Sequence, residues 1–152
     1  MGKKLLFLFA LIILPALAYS QDDTREKHPI DLWYENCIDS NGSTMGMIMC
    51  ADSAAVLWDI ELNKNYKLLM DVLGDKAKED LREAQREWIT FRDKEMQAIS
   101  SYYEYVYEIM GGGTMYPMLA SGARMEVIRK RALELKGMYD ELSWYKGEDD
   151  GR

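Results

Sequence analysis

The chain has one histidine among its 152 residues, His28. It lies in a polar N-terminal stretch that reads as a flexible leader, so a Ser-His-Asp or Cys-His site has no anchored base. The usual histidine-bearing zinc and iron sites are excluded on the same ground. Basic side chains are in deficit, 19 against 26 acidic, for a net charge of −7. This argues against nucleic acid or an anionic membrane as partner, because both call for a basic patch. No stretch alternates apolar and polar residues as a strand does. After residue 14 no run is apolar enough to span a bilayer, which takes about 20 residues. The Gly111-Gly112-Gly113 run is no phosphate loop, since no strand precedes it and no lysine follows.

What is present begins with an export signal. Lys3 and Lys4 precede the apolar run Leu5–Leu14, and Ala18-Tyr19-Ser20 offers small residues for cleavage before Gln21. Residues 1–20 are expected to leave as a signal peptide, and no cysteine follows the cut to carry a lipid. Without Lys3 and Lys4, 17 basic face 26 acidic side chains, a net charge of −9. The expected product is a periplasmic or secreted protein. Its only cysteines are Cys37 and Cys50. In an oxidising compartment an even pair reads first as a disulfide, here with 12 residues between the cysteines, and two buried free thiols are the alternative.

The rest reads as one helical domain over residues 30–145, after a leader at 21–29 and before a charged tail at 146–152. A short helix is expected from about Ile30 to Asp39. Asn41-Gly42 is a turn, and Ser43 or Thr44 a natural N-cap. Ile48, Ala51, Ala55, Trp58, Leu62, Tyr66, Leu69 and Leu73 then step by three or four, which predicts a long helix with one buried stripe. Gly74 ends it and Asp75 can cap the next, whose stripe is read as Leu81, Ala84, Trp88, Phe91, Ala98, Tyr102, Tyr105 and Ile109. A last helix is expected from about Pro117 to Leu142, with Met118, Met125, Ile128, Leu135 and Leu142 inward. The two central helices, ~45 and ~50 Å long, are joined by a tight turn and must form an antiparallel hairpin. The fold class is all-α: a long-helix hairpin, with a short N-terminal and a C-terminal helix packed on it.

Three segments carry a resemblance: Thr44-x-x-Met47-x-x-Cys50, Asp59-x-Glu61-Leu62-Asn63-x-x-Tyr66, and Leu81-Arg82-x-Ala84-Gln85-x-x-Trp88-Ile89-x-Phe91-Arg92-Asp93. In this order and spacing the chain resembles the lysozyme inhibitor LprI N-terminal-domain-like family of small exported bacterial proteins, over roughly residues 37 to 135. Members of that family typically carry four cysteines. The second pair would fall at Met96 and near Ala123, and a threonine expected ahead of Arg131-Ala132 is replaced by Ile128. The resemblance implies a divergent member whose Cys37–Cys50 bridge survives. It also implies action by contact on a lysozyme-type hydrolase, and the acidic surface would attract a cationic one; with no anchored catalytic base, the residues themselves read as a non-enzyme. The other class of reading is an envelope structural or stress protein with no enzyme target.

Two groups of residues are candidates. Asp59, Asn63 and Tyr66 share one helix face. If the hairpin pairs residues whose numbers sum to about 149, they meet Gln85, Arg92 and Asp93 in a polar ladder that fixes helix register, with Asp59 and Arg92 as an ion pair. The second group is a partner face at the far end of the hairpin: Tyr103 and Tyr107, then Gly111, Gly112, Gly113, Thr114, Met115 and Tyr116, rigid aromatics beside an adaptable loop. Those tyrosines could equally pack beneath the last helix. Met45, Met47, Met49 and Cys50 resemble a soft copper(I) ligand set, but Met47 points away from the other two, and gap-filling in a helical core explains them more simply. No cofactor or metal is expected.

Overall fold

The computed structural model describes residues 27–149. The expected signal peptide lies outside them. Four helices account for nearly all of that range: α1 Pro29–Ser40, α2 Thr44–Val72, α3 Asp75–Ile109 and α4 Met115–Asp149. No strand occurs among the described residues.

Local chemistry sets the ends of these helices. The Nδ1 of His28 accepts from the Ile30 amide at 3.2 Å and caps α1, with Pro29 in the first turn, where it gives up no helical hydrogen bond. Ser43 Oγ accepts from the Gly46 amide and caps α2. The turn between α1 and α2 is tight enough that a Cβ on Gly46 would sit 2.7 Å from the Asn41 backbone oxygen. At the α2–α3 turn the roles differ from the sequence reading. Leu73 is the C-cap, and Gly74, in extended conformation, is the N-cap without a side-chain bond. Asp75 is the first helical residue of α3, where its charge favours the positive end of the helix dipole. Gly111, Gly112 and Gly113 all have positive φ, a region that L side chains rarely occupy, and this run turns the chain from α3 into α4.

α4 organises the bundle. It runs parallel to α2, joined by Asn65 Nδ2 to the Ala132 carbonyl at 3.1 Å, Thr114 to Thr44 at 3.2 Å, and Lys146 to the Val72 carbonyl at 2.7 Å. In each pair the α4 number exceeds the α2 number by about 70, as parallel packing requires. Small residues buried on both helices, Ala51 and Ala54 of α2 and Ala120 and Ala132 of α4, allow the axes to approach closely. α3 packs antiparallel on the same α4, through Arg131 Nε to Gln85 Oε1 at 3.1 Å. α2 and α3 run in opposite directions, as a hairpin must, but α4 is the main neighbour of each.

The core comprises Trp58, Leu62 and Leu69 of α2, Leu81 of α3, and Met125, Ile128, Ala132 and Leu135 of α4. The expected α2 and α4 stripes are therefore the inward faces. Of the expected α3 stripe only Leu81 and Trp88 turn inward. Ala84, Phe91, Ala98, Tyr102, Tyr105 and Ile109 are exposed, and the inward line is Leu81, Gln85, Trp88, Arg92, Met96, Ile99, Tyr103 and Val106. That inward line carries polar residues, and α4 supplies partners for Gln85 through Arg131. Counting apolar residues therefore selected the wrong side of α3. α1 lies across α2 and α4. The Cys37–Cys50 disulfide holds one end, with Cα atoms 5.8 Å apart, and a bidentate ion pair from Asp31 to Arg129, at 2.8 and 2.9 Å, holds the other.

Candidate functional site

At the end of the bundle that carries the loop between α3 and α4, a groove of about 390 Å³ opens among α2, α3 and α4. Ile48 of α2, Tyr103 and Tyr107 of α3, and Pro117, Ala120 and Arg124 of α4 line it. Arg124 reaches Ser100 Oγ at 3.3 Å, and Glu104 also lines the groove. The groove is thus mainly apolar and aromatic, with one cation and one anion in its lining, as in contact surfaces that bind by burying side chains.

The adjoining loop is tied down. The Gly112 amide donates to the Tyr107 carbonyl at 2.8 Å, and a Cβ on Gly112 would lie 3.5 Å from the Tyr107 hydroxyl. Thr114 is hydrogen-bonded to Thr44, and Tyr116 is half-buried with its ring beside Gly113. Met115 stays half-exposed. The structure therefore brings Tyr103, Tyr107 and the 111–116 loop to one end of the molecule. Tyr103 is half-buried and Tyr107 exposed. Tyr102 and Tyr105, expected in the core, each keep 62% of their surface in solvent. Ile48 and Arg124 complete the groove. The parallel packing of α2 on α4 brings them there, and sequence spacing gave no sign of Arg124.

The polar ladder takes a different form. Asn63 Nδ2 donates to the Asp59 carbonyl at 2.8 Å and to its carboxylate at 3.2 Å, within one turn of α2. Arg92 pairs with its neighbour Asp93 at 2.7 Å and lies over the Trp88 ring. The Asp59–Arg92 ion pair is not formed, because α4 is the chief neighbour of both α2 and α3. Tyr66 is half-buried against the core. The buried polar side chains that link helices are Asn65, Gln85 and Ser121. Asn65 binds the Ala132 carbonyl, Gln85 binds Arg131, and Ser121 donates to Asp52.

His28 is also not on a loose leader. Its ring lies 4.5 Å from that of the fully buried Trp58, and its Nε2 is 3.9 Å from Glu61. The Arg129 guanidinium sits 5.5 Å from the centre of the Trp58 ring. Its hydrogen bond to Asp31 is the main cause that raises its pKa above the ordinary arginine value. Burial alone raises the Tyr34 hydroxyl above 10.0. These groups pin α1 to the bundle. Among the described residues no group of three or more His, Cys, Asp or Glu is placed to hold a metal ion. Met45 and Met49 are exposed while Met47 is half-buried, so the three thioethers do not converge.

With this geometry in view, three comparisons bear on the chain. The profile of the family described as lysozyme inhibitor LprI matches residues 37–135. A protein of Rhizobium meliloti (strain 1021), named Uncharacterized protein R02472, is 37% identical over 111 residues, which cover 64% of this chain and 75% of that protein. A crystal structure of an uncharacterized protein from Burkholderia thailandensis superposes with a TM-score of 0.69 at 31% identity, covering 78% of this chain and 56% of the other, so this chain spans little more than half of that protein's length. The family match runs from Cys37, at the end of α1, through the core helices to the buried Leu135 of α4, and on that ground this chain belongs to the lysozyme inhibitor LprI family.

Proposed function

We propose that the chain acts after export as a binding protein without chemistry of its own, inhibiting a lysozyme-type hydrolase by contact through the end of the bundle that carries Tyr103, Tyr107 and the 111–116 loop. The observation that supports this most is the groove itself. It is concave, apolar and aromatic, and helices fix its walls, so a partner side chain entering it meets ordered surfaces. The net charge of −9 without Lys3 and Lys4 would draw a cationic hydrolase toward it. No helix among the described residues is long and apolar enough to cross a membrane.

The test mixes the oxidised chain from Gln21 to Arg152 with several lysozymes at physiological salt, following both binding and muramidase rate. Saturable inhibition is expected, with Tyr107→Ala and Tyr103→Ala weakening it about tenfold or more and Ile60→Ala, on the outer face of α2, leaving it unchanged. Binding that vanishes with salt would mean charge attraction alone. Inhibition insensitive to both tyrosine changes and to Tyr116→Ala would place the contact elsewhere.

A further inference from the structure

Phe91, Ala98, Tyr102, Tyr105 and Ile109 follow a seven-residue repeat, with 91, 98 and 105 in one series and 102 and 109 in the other. At 100° per residue they fall within about 60° of arc on α3. An apolar seam of this width and period is what a second helix packs against in a left-handed coiled coil. Yet this seam faces solvent. Phe91 is 54% exposed, Tyr102 and Tyr105 62%, and Ile109 61%. It lies about 150° around α3 from Tyr103 and Tyr107, so it is separate from the groove.

From this we infer that the outer face of α3 is a self-association surface, on which a second copy of the chain packs its own α3 in antiparallel orientation. Two features select a second copy. The first is packing. In the register where paired numbers sum to about 200, Phe91 meets the second copy's Ile109 and Ala98 meets the second copy's Tyr102. In these pairs large faces small or aliphatic, and the two-fold axis repeats each contact. Glu95, in the seam's polar position, falls opposite the second copy's Tyr105, whose hydroxyl can donate to it. The second feature is charge. Lys94 and Glu108 lie on the same flank of the seam, both exposed, and neither makes an ion pair among the described residues. In an antiparallel pair like flanks face each other, so this register sets Lys94 of each copy beside Glu108 of the other. The seam is about 27 Å long, which puts the contact at the small end of specific interfaces and the dissociation constant in the micromolar range.

Sedimentation equilibrium of the oxidised chain from Gln21 to Arg152, from about 1 to 500 µM, reads this directly. A reversible monomer–dimer equilibrium is expected. Ile109→Lys should abolish the dimer with helical content unchanged, since this side chain is exposed. Lys94→Glu alone and Glu108→Lys alone should each weaken dimerisation about tenfold, and the two together should restore it. A chain that stays monomeric to 500 µM overturns the inference. So does a dimer unaffected by Ile109→Lys, which would point to another face such as the exposed Met45, Met49, Val56 and Ile60 of α2. A double swap that remains monomeric overturns the antiparallel register.

Discussion

Removing the Cys37–Cys50 bridge is the sharpest test of how α1 is held. The bridge joins residues 13 apart, and in the chain-entropy model a loop of that size restrains the unfolded chain by about 3 kcal/mol. The described domain loses entropy on folding at about 2.1 cal/mol/K per residue, so 3 kcal/mol corresponds to a fall in Tm of roughly 10 °C. Cys37→Ala with Cys50→Ala is the right perturbation. Cys50 is only 2% exposed, and a serine would bury an unpartnered hydroxyl there. The native contacts of α1 should survive in the double variant, since the Asp31–Arg129 pair and the His28 ring on Trp58 lie at the opposite end of the helix. Calorimetry or thermal circular dichroism gives the shift, and Trp58 fluorescence reports whether α1 stays docked. A Tm change under about 3 °C would refute the chain-entropy reasoning for this loop, and loss of the His28–Trp58 contact at 25 °C would show that the bridge, and not the ion pair, holds α1 in place.

Two further expectations come from the interior. Asn65, 3% exposed, donates to the Ala132 carbonyl across the α2–α4 contact, so Asn65→Ala should cost about 1–2 kcal/mol in denaturant unfolding. Asn65→Asp should cost more at pH 7 than near pH 4. A buried carboxyl that is protonated can donate to that carbonyl and an ionised one cannot, so its folded pKa rises and stability is lost as pH climbs through the unfolded value; equal cost at both pH values would contradict this. Burial raises the pKa of Tyr34, so above pH 10 the unfolded chain releases that proton before the folded one does and stability falls. Tyr34→Phe should flatten the decline, and an unchanged slope would remove Tyr34 as its cause.

Much of the fold was legible from local chemistry. Pro29 and the cap at Ser43 fix where helices begin, and Gly111–Gly113 must turn, because three successive positive φ values suit glycine alone. Two cysteines leave one intrachain pairing. The three-to-four spacing on α2 and α4 marks their inward faces, since each has one dense apolar side. α3 is different. It carries two candidate faces, an apolar one through Phe91, Tyr102, Tyr105 and Ile109 and a mixed one through Gln85, Trp88 and Arg92. Periodicity reports which residues share a face and is silent on which face turns inward. α4 decided that, by offering Arg131 to Gln85 and by packing parallel to α2 along Ala120, Ser121 and Ala132. The same packing brought Asp31 to Arg129, 98 positions apart, and assembled the groove from Ile48, Tyr103 and Arg124. Helix boundaries follow from short-range hydrogen bonding and backbone sterics, which the sequence carries residue by residue. The choice of neighbour among long helices depends on which polar groups find partners and which small residues let two axes close together, and only the assembled bundle resolves that.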